Sequence, residues 1–250
     1  MFLRRQGFDL VKYEGTYQNI PVELSELELE IVKFVFDGKL SMTSVSRLVA
    51  TLKACKYVVE NNIPGDFVEC GVWRGGHGII AKKIFEHMGS DKRVILFDTF
   101  AGMTEPSEFD ISPVSKQNAK NEYLANQRAT HNEWCYASVS DVRKNFENAK
   151  VDISGVHFVV GDVCKTLDID GNIPSLISVL RLDTDWYDST RKELQTLYPV
   201  ISDRGVLIVD DYGDWEGARR AVEEFFETTV YKPLFNATDY TGRLALKLGS

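Results

Sequence analysis

The sequence has few cysteines, few histidines and no long apolar run, and each shortage excludes a class of protein. Its 250 residues include four cysteines and four histidines. The histidines share no metal-ligand spacing. The cysteines stand far apart and form neither a Cys-x-x-Cys pair nor a disulfide framework, so we expect reduced, structural thiols. The four are Cys55, Cys70, Cys135 and Cys164.

Apolar runs such as VLIV and ISVL are too short to cross a bilayer, and MFLRRQGFDL at the N-terminus lacks the apolar core of a signal peptide. We therefore expect a cytoplasmic protein with no membrane partner. Positive charge is also scarce, because 29 Lys and Arg face 37 Asp and Glu. Proteins that bind a nucleic-acid backbone concentrate Lys and Arg, so a small molecule is the favoured partner and no nucleic acid is expected.

Five short apolar segments alternate with segments of helical periodicity. Each is continuously hydrophobic, as expected of strands buried on both faces of a mainly parallel sheet. Two later strand-like runs, KPLFNATD and GRLALKL, predict an antiparallel hairpin at the sheet edge. The pattern predicts a doubly wound α/β domain with a mainly parallel, seven-stranded sheet. The five segments are residues 66–70, 93–98, 156–162, 177–183 and 205–211.

The regions around these strands predict a helical cap and a lid. Residues 1–62 contain two helix-like segments and are expected to form an N-terminal cap or an oligomer surface, which favours a homo-oligomer. Residues 63–250 form the α/β domain. Within it, residues 101–137 have no strong pattern. A long irregular insertion at the ligand-facing end of a sheet is typical of a lid, and a partly disordered surface loop is the alternative.

A glycine-rich loop follows the first predicted strand. The segment DFVECGVWRGGHG places Glu69 at the strand end, before Gly71, Gly75 and Gly76. Glycine allows a sharp turn and close approach of a ligand, although tight turns without function use glycine too. The spacing is not Gly-x-Gly-x-x-Gly, which weakens the case for a dinucleotide-binding oxidoreductase.

Acids also end the second and third predicted strands. Asp98 precedes Thr99 and Phe100, and Asp162 follows Gly161, and all five are candidate cofactor-binding residues. An acid at the position of Asp98 can bind both hydroxyls of a ribose, and an acid at the position of Asp162 can accept a hydrogen bond from an exocyclic amine. Each acid could instead be a strand-end cap. Their shared location with Glu69 at the carboxyl ends of parallel strands predicts a nucleoside-binding cleft.

This arrangement resembles class I S-adenosylmethionine-dependent methyltransferases, a Rossmann-like fold. The resemblance implies S-adenosylmethionine as the cofactor. It places the acid and glycines of the first loop at the methionine end of the cofactor, the acid of the second strand at the ribose and the acid after the third strand near adenine.

Acidic residues end the fourth and fifth strands as well. Asp183 ends one, and Asp210 and Asp211 end the other, so all three point to the rim of the same cleft. Gathered carboxylates repel one another, and a hard cation such as Mg²⁺ removes that cost. The alternative is that the pair merely caps the next helix. Asp185 is placed to accept a proton from a hydroxyl, whereas Asp188 is expected to start the next helix.

The motifs GVWRGG, FDTFAGM, LRLDTDWYDSTRKEL and GVLIVDDY resemble those of the macrocin O-methyltransferase family, metal-dependent enzymes that methylate sugar hydroxyls of antibiotic natural products. The resemblance implies a sugar or polyol acceptor, Mg²⁺ at Asp183, Asp210 and Asp211, and Asp185 as the base. Asp183 is also expected to contact the cofactor. The family usually has glycine where Thr184 stands, so acceptor preference is expected to differ here.

Other functions stay open at this point. One alternative is a metal-dependent methyltransferase that acts on a catechol-like phenol. A second is a nucleotide-binding oxidoreductase, and a third is a non-catalytic nucleoside-binding protein. Trp73, Trp134 and Trp215 could line the cleft, but aromatic residues at such positions are at least as often part of the core.

Overall fold

The computed structural model describes residues 20–249. At its centre lies a seven-stranded sheet with the order β3-β2-β1-β4-β5-β7-β6. Strands β1 to β5 pair in parallel, and β7 is antiparallel to both of its neighbours. The predicted α/β fold and its closing hairpin are therefore confirmed. The strands are β1 Asp66–Cys70, β2 Val94–Asp98, β3 Val156–Val160, β4 Ile177–Leu182, β5 Ile201–Val209, β6 Asn236–Ala237 and β7 Arg243–Leu246.

Helices cover both faces of the sheet. Helices α1, α2, α3 and α5 contribute to the core on one face, and α6, α7 and α8 to the core on the other. Short 3-10 helices precede β3 and β5 at Ile153–Gly155 and Tyr198–Val200. The α-helices are α1 Glu26–Asp37, α2 Val45–Glu60, α3 Gly76–His87, α4 Lys120–Asn126, α5 Val139–Asn148, α6 Val163–Thr166, α7 Tyr187–Leu197 and α8 Glu216–Glu227.

Adjacent strand residues point to opposite faces, and both faces are buried. Phe67 of β1 packs into the first core and Val68 into the second. Val206 and Leu207 of β5 divide in the same way. Because helices cover both sides, most positions in these strands are apolar, which explains their nearly continuous hydrophobic character.

The two N-terminal helices belong to the same core as the sheet. Ile31 of α1 and Leu48 of α2 are buried in one cluster with Ile79 of α3. Ser25 and Glu28 form a capping box at the start of α1, and Ser44 caps α2. The division at residue 62 and the oligomer surface stay predictions. Residues 1–19, which include the stretch judged not to be a signal peptide, lie outside the described range.

The insertion 101–137 is folded against the carboxyl edge of the sheet. It contains α4 and two isolated bridges, Ile111 with Asn118 and Gln127 with Asn132. Asp110 is fully buried and accepts a hydrogen bond of 2.8 Å from the Tyr187 backbone N–H at the start of α7. Sequence periodicity missed α4 and α6, which are seven and four residues long. No helix within residues 20–249 is both long and apolar enough to cross a membrane.

Candidate active site

A cavity of about 410 Å³ opens at the carboxyl ends of β1, β2, β4 and β5. Residues 40–43, which connect α1 and α2, form part of its wall. Most of the residues that the sequence predicts for the site therefore meet in one place. Those that line the cavity are Glu69, Gly71, Gly76, Asp98, Thr99, Gly161, Asp162, Asp183, Asp185, Asp210 and Asp211.

Two predicted cofactor residues lie elsewhere. Gly75 begins α3 with φ +88°, and a Cβ there would lie 2.9 Å from side-chain atoms of Val142 and Phe146. Phe100 is 6% exposed, and its ring centroid is 6.0 Å from that of Phe158 in the core. Neither residue lines a described cavity. The structure thus packs Gly75 against α5 and Phe100 into the core, and their predicted cofactor contacts stay predictions.

Gly71 is required by the protein's own backbone. Its φ is +83°, and a Cβ would lie 1.8 Å from the carbonyl oxygen of Asp183. No side chain fits there, because the loop after β1 passes directly over the end of β4. Gly71 therefore allows these two loops to meet, and because it also lines the cavity, the predicted approach of a ligand stays a prediction.

Asp98 organises the glycine loop. One carboxylate oxygen accepts from the backbone N–H of Val72 at 2.6 Å and of Trp73 at 3.1 Å. The other accepts from the backbone N–H of Phe100 at 2.7 Å. Burial raises the pKa of Asp98, and these N–H donors oppose that rise. This structural role was missed from the sequence, and the predicted ribose contact stays a prediction.

Asp162 starts the short helix α6. Its side chain accepts from the backbone N–H of Cys164 at 3.0 Å, which is the usual geometry of an N-cap. Asp162 therefore has the capping role that the sequence analysis gave as the alternative for each strand-end acid. Asp162 also lines the cavity beside Gly161, and its predicted contact with the adenine base of the cofactor stays a prediction.

A buried arginine, which the sequence reasoning missed, lies at the centre of the site. Arg181 of β4 is fully buried and donates from one nitrogen to Glu69 at 2.9 Å and to Asp183 at 2.7 Å. Its other terminal nitrogen donates to Asp210 at 2.6 Å. A buried cation needs carboxylate partners. The arginine in the otherwise apolar strand segment ISVLRL was therefore the sequence feature that could have predicted these ion pairs.

Glu69 keeps one carboxylate oxygen free of protein partners. Only its Oε1 contacts Arg181, and Oε2 has no hydrogen-bond partner among the described residues. Burial raises the pKa of Glu69 to about 8, although the guanidinium of Arg181 acts in the opposite direction. A buried, unpartnered acceptor beside a cavity is the kind of group that a ligand satisfies.

Asp210 is held by two guanidinium groups. Arg181 contacts Oδ1, and Arg47 of α2 contacts Oδ2. Arg47 also lies 3.0 Å from Asp239 in the turn before β7. Burial raises the pKa of Asp210 to about 7, against the effect of both cations. Each oxygen of Asp210 therefore contacts a guanidinium group, and the residue also lines the cavity.

Three carboxylates converge in the same cavity, although one of them, Asp183, is also paired with Arg181. Asp183, Asp185 and Asp211 each offer an oxygen, and these atoms lie within 4.8 Å of one another. Burial, reinforced by neighbouring carboxylates, raises the pKa of Asp185 to about 8 and raises that of Asp211 strongly. The predicted set of Asp183, Asp210 and Asp211 therefore shares two members with the cluster that the structure brings together, and Asp185 takes the place of Asp210.

Three tryptophans pack beside this cluster. The ring centroid of Trp186 is 5.5 Å from that of Trp134 and 5.0 Å from that of Trp215, both in edge-to-face contact. Trp134 and Trp215 line the cavity of the acids, whereas Trp186 lines a neighbouring cavity of about 740 Å³ under the insertion. The cleft thus combines a carboxylate cluster with an aromatic wall.

Comparison with known proteins decides the family. The Macrocin-O-methyltransferase (TylF) family model matches residues 37–244. The chain belongs to the macrocin O-methyltransferase family. This confirms the resemblance in the sequence motifs, and this chain is an O-methyltransferase. Family membership also argues against the oxidoreductase alternative.

Sequence relatives of this family member are named as O-methyltransferases of natural products. Over 191 residues it is 34% identical to demethyldecarbamoylnovobiocin O-methyltransferase of Streptomyces niveus, covering 74% of this chain and 67% of that enzyme. Over 186 residues it is 32% identical to 8-demethyl-8-(2,3-dimethoxy-alpha-L-rhamnosyl)-tetracenomycin-C 4'-O-methyltransferase of Streptomyces olivaceus, with the same coverage of 74% and 67%.

Solved structures confirm the fold of this O-methyltransferase. The O-methyltransferase NovP superimposes with a TM-score of 0.73 at 30% identity, covering 84% of this chain and 82% of its own. TomG from Streptomyces achromogenes, solved in complex with SAM, gives a TM-score of 0.52 at 14% identity, with coverage of 93% and 94%. The second likeness supports the class I methyltransferase fold alone.

Proposed function

We propose that this enzyme transfers the methyl group of S-adenosylmethionine to a hydroxyl of a sugar or polyol carried by a small molecule, with Mg²⁺ bound at the acidic cluster. The observation that carries the proposal is the convergence of Asp183, Asp185 and Asp211 in the cavity that the glycine loop also lines. Cofactor-binding elements and candidate metal ligands therefore share one space.

The residues of the cavity suit the cofactor. Oε2 of Glu69 is a buried acceptor without a protein partner, and it suits the ammonium group at the methionine end of S-adenosylmethionine. Gly71 and Gly76 border the same part of the cavity and present no side chain to it. Asp98, Thr99 and Asp162 line the part where the sequence predicts the ribose and the base.

The acidic cluster suits a hard divalent cation. Its donors are all carboxylate oxygens. Burial, reinforced by the neighbouring carboxylates, raises the pKa of Asp185 and of Asp211, and a cation bound between them would stabilise their charged forms. Asp183 and Asp211 belong both to the predicted ligand set and to the observed cluster. Asp210 joins them as a ligand only if Arg47 releases it, because its oxygens contact the two arginines.

Proton removal is assigned to Asp185. When bound, S-adenosylmethionine supplies an electrophilic methyl group on sulfur, and Mg²⁺ supplies positive charge that lowers the pKa of an acceptor hydroxyl. As the acceptor oxygen bonds to the methyl carbon, the carbon–sulfur bond breaks, and a carboxylate oxygen of Asp185 takes the hydroxyl proton. Burial raises the pKa of Asp185 to about 8, so its carboxylate, once ionised, is a stronger base than an ordinary aspartate.

The aromatic wall favours an acceptor with a flat or apolar face next to its hydroxyl. Trp134 and Trp215 provide that surface in the cavity of the acids. A rhamnosyl sugar on a polycyclic product, as named for the S. olivaceus relative, has such a combination. The same wall keeps a catechol-like phenol as a second candidate acceptor, since an aromatic diol presents two adjacent hydroxyls and a flat ring.

Titration calorimetry with single-carboxylate variants tests the proposal. S-Adenosylmethionine and Mg²⁺ are titrated into wild type, Asp183→Asn, Asp185→Asn and Asp210→Asn, with the exposed Asp168→Asn as the matched control. We expect Asp183→Asn to weaken Mg²⁺ binding by more than about tenfold while leaving cofactor binding detectable. Asp185→Asn should keep Mg²⁺ and lose roughly 100- to 10,000-fold in kcat.

Methyl transfer is measured on p-nitrophenyl α-L-rhamnoside and on 3,4-dihydroxybenzoate. Turnover of the rhamnoside alone supports the sugar assignment, and turnover of the diol alone selects the second candidate. If Asp185→Asn abolishes Mg²⁺ binding while Asp210→Asn keeps it, Asp185 is a ligand and the base assignment is wrong. Cofactor binding with no divalent cation bound to wild type, even with acceptor present, refutes the metal-dependent mechanism.

A further inference from the structure

The backbone that carries Asp185 is strained. Asp185 has φ +66°, and the N–H of Trp186 donates to the carbonyl oxygen of Thr184 at 2.7 Å. A hydrogen bond from residue i+2 to residue i around a positive φ defines the rarer, more strained form of γ-turn. Such a conformation persists only where surrounding contacts hold it. The residues 184–186 are therefore held in place by something outside the turn.

The strongest outside contact comes from helix α7. The hydroxyl of Thr184 donates to Oε1 of Glu193 at 2.9 Å, and Glu193 is fully buried. Ser189, also on α7, donates to the carbonyl oxygen of Thr184 at 3.3 Å. The hydroxyl and the carbonyl oxygen of Thr184 are thus both tied to one rigid element, so α7 fixes the first residue of the turn.

The far side of the turn faces the acidic cluster. The backbone N–H of Asp185 donates to Oδ2 of Asp211 at 3.2 Å. Thr184 and Asp185 line the cavity, whereas Glu193 lines neither of the two described cavities. Glu193 therefore contacts the turn through the Thr184 hydroxyl without bordering either cavity, and its carboxyl also interacts electrostatically with Asp183 and Asp185. Burying a carboxyl with one oxygen unpartnered among the described residues is costly, which calls for a reason to keep it.

We propose that Glu193 is a positioning residue that, through the hydroxyl of Thr184, holds the strained turn and so fixes where Asp185 meets the acceptor. This inference rests on the proposed function for its effect on catalysis, although the turn itself can be observed without turnover. It also changes the meaning of Thr184. The hydroxyl that replaces the family's usual glycine points to α7, and its role is to hold the backbone.

Hydrogen exchange tests the turn directly. The amide exchange rates of Asp185 and Trp186 are compared in wild type, Thr184→Val, Thr184→Ser, Glu193→Leu and Glu193→Gln. Valine matches threonine in shape but lacks the hydroxyl, and leucine lacks the acceptor, so exchange should become roughly tenfold faster in those two variants. Serine and glutamine keep the donor and the acceptor, so both should restore slow exchange.

Thr166→Val is the matched control. Thr166 is buried, and its hydroxyl has no partner in residues 20–249, so the same substitution removes no hydrogen bond there. If Glu193→Leu fails to fold, the comparison of Thr184→Val with Thr184→Ser still tests whether the hydroxyl at position 184 holds the turn. Equal exchange of the turn amides in wild type and Thr184→Val overturns the proposal.

Kinetics then separate positioning from general stability. The Glu193→Leu variant should lose roughly tenfold in kcat, the effect of one lost hydrogen bond, with the KM for S-adenosylmethionine unchanged and activity restored in Glu193→Gln. A rise in KM with unchanged kcat would contradict the positioning role. If wild type shows no methyl transfer at all, the proposed function fails, and the exchange experiment still judges the role of Glu193 independently.

Discussion

Replacing Arg181 with methionine should destabilise the enzyme severely. The guanidinium is fully buried and is the shared partner of Glu69, Asp183 and Asp210, at 2.6 to 2.9 Å. Removing one partner of a buried ion pair costs about 3–5 kcal/mol, because the remaining charge stays buried. In a chain of this size each kcal/mol lowers Tm by about 2–4 °C, so the expected loss is about 6–20 °C.

The same variant should depend on pH in a defined direction. Burial raises the pKa of Glu69 to about 8 and that of Asp210 to about 7 in the folded enzyme, whereas the unfolded chain releases these protons near about pH 4. Between these limits the folded state binds more protons, so the free energy of unfolding falls as pH rises. Without Arg181 both pKa values rise further, and the stability deficit should be larger at about pH 8 than at about pH 5.5.

Thermal unfolding followed by circular dichroism at both pH values measures this. The matched control is Arg93→Met, which removes a 2.6 Å ion pair to Asp66 from a side chain that is 50% exposed. That change should cost no more than about 1 kcal/mol. The reasoning is refuted if Arg181→Met costs as little as the control, or if its deficit grows as the pH is lowered.

Three further predictions concern the metal, a glycine and the insertion. Because burial strongly raises the pKa of Asp211, a proposed ligand, protons compete with Mg²⁺, and calorimetry should show tighter binding at about pH 8.5 than at about pH 6.5; equal affinities would contradict this. Gly71→Ala should unfold at far lower temperature than Gly89→Ala, since a Cβ at the first meets the Asp183 carbonyl oxygen at 1.8 Å and at the second meets nothing within 4 Å. Similar losses of Tm would show that φ strain alone matters. Asp110→Ala removes the acceptor for the first N–H of α7 and should lower the free energy of unfolding in urea by about 1–3 kcal/mol, an estimate that an unchanged midpoint would refute.

The fold was predictable because a strand that is buried on both faces has a nearly continuous run of apolar residues. Segments such as ISVLRL and GVLIV have apolar residues at nearly every position, and parallel topology then brings the residues that follow them to one edge. That rule was enough to gather Asp183 and Asp211 in one cavity. The parallel topology could not predict which acid pairs with which group, because the sequence does not show which carboxylate contacts an arginine and which is left for a metal ion.

What the sequence did not reveal depends on long-range or backbone contacts. Arg181 forms ion pairs with carboxylates at the ends of three strands. The oxygens of Asp98 accept hydrogen bonds from backbone N–H groups, which every residue type except proline has and which a sequence therefore does not reveal. Asp210 was expected to bind metal, yet its oxygens contact Arg47 and Arg181. The helices α4 and α6 are too short for periodicity to detect.

The junction of Arg47, Asp210 and Asp239 also bears on the order in which this protein folds. Ser44 donates to Asp239 across 195 residues of sequence, and Arg47 reaches Asp210 across 163. Contacts between such distant positions are slow to form, because a large loop must close before they contribute. We therefore expect the sheet and its apolar helices to assemble before the charges of the site are paired. Catalytic competence would then be among the last properties that a newly made chain acquires.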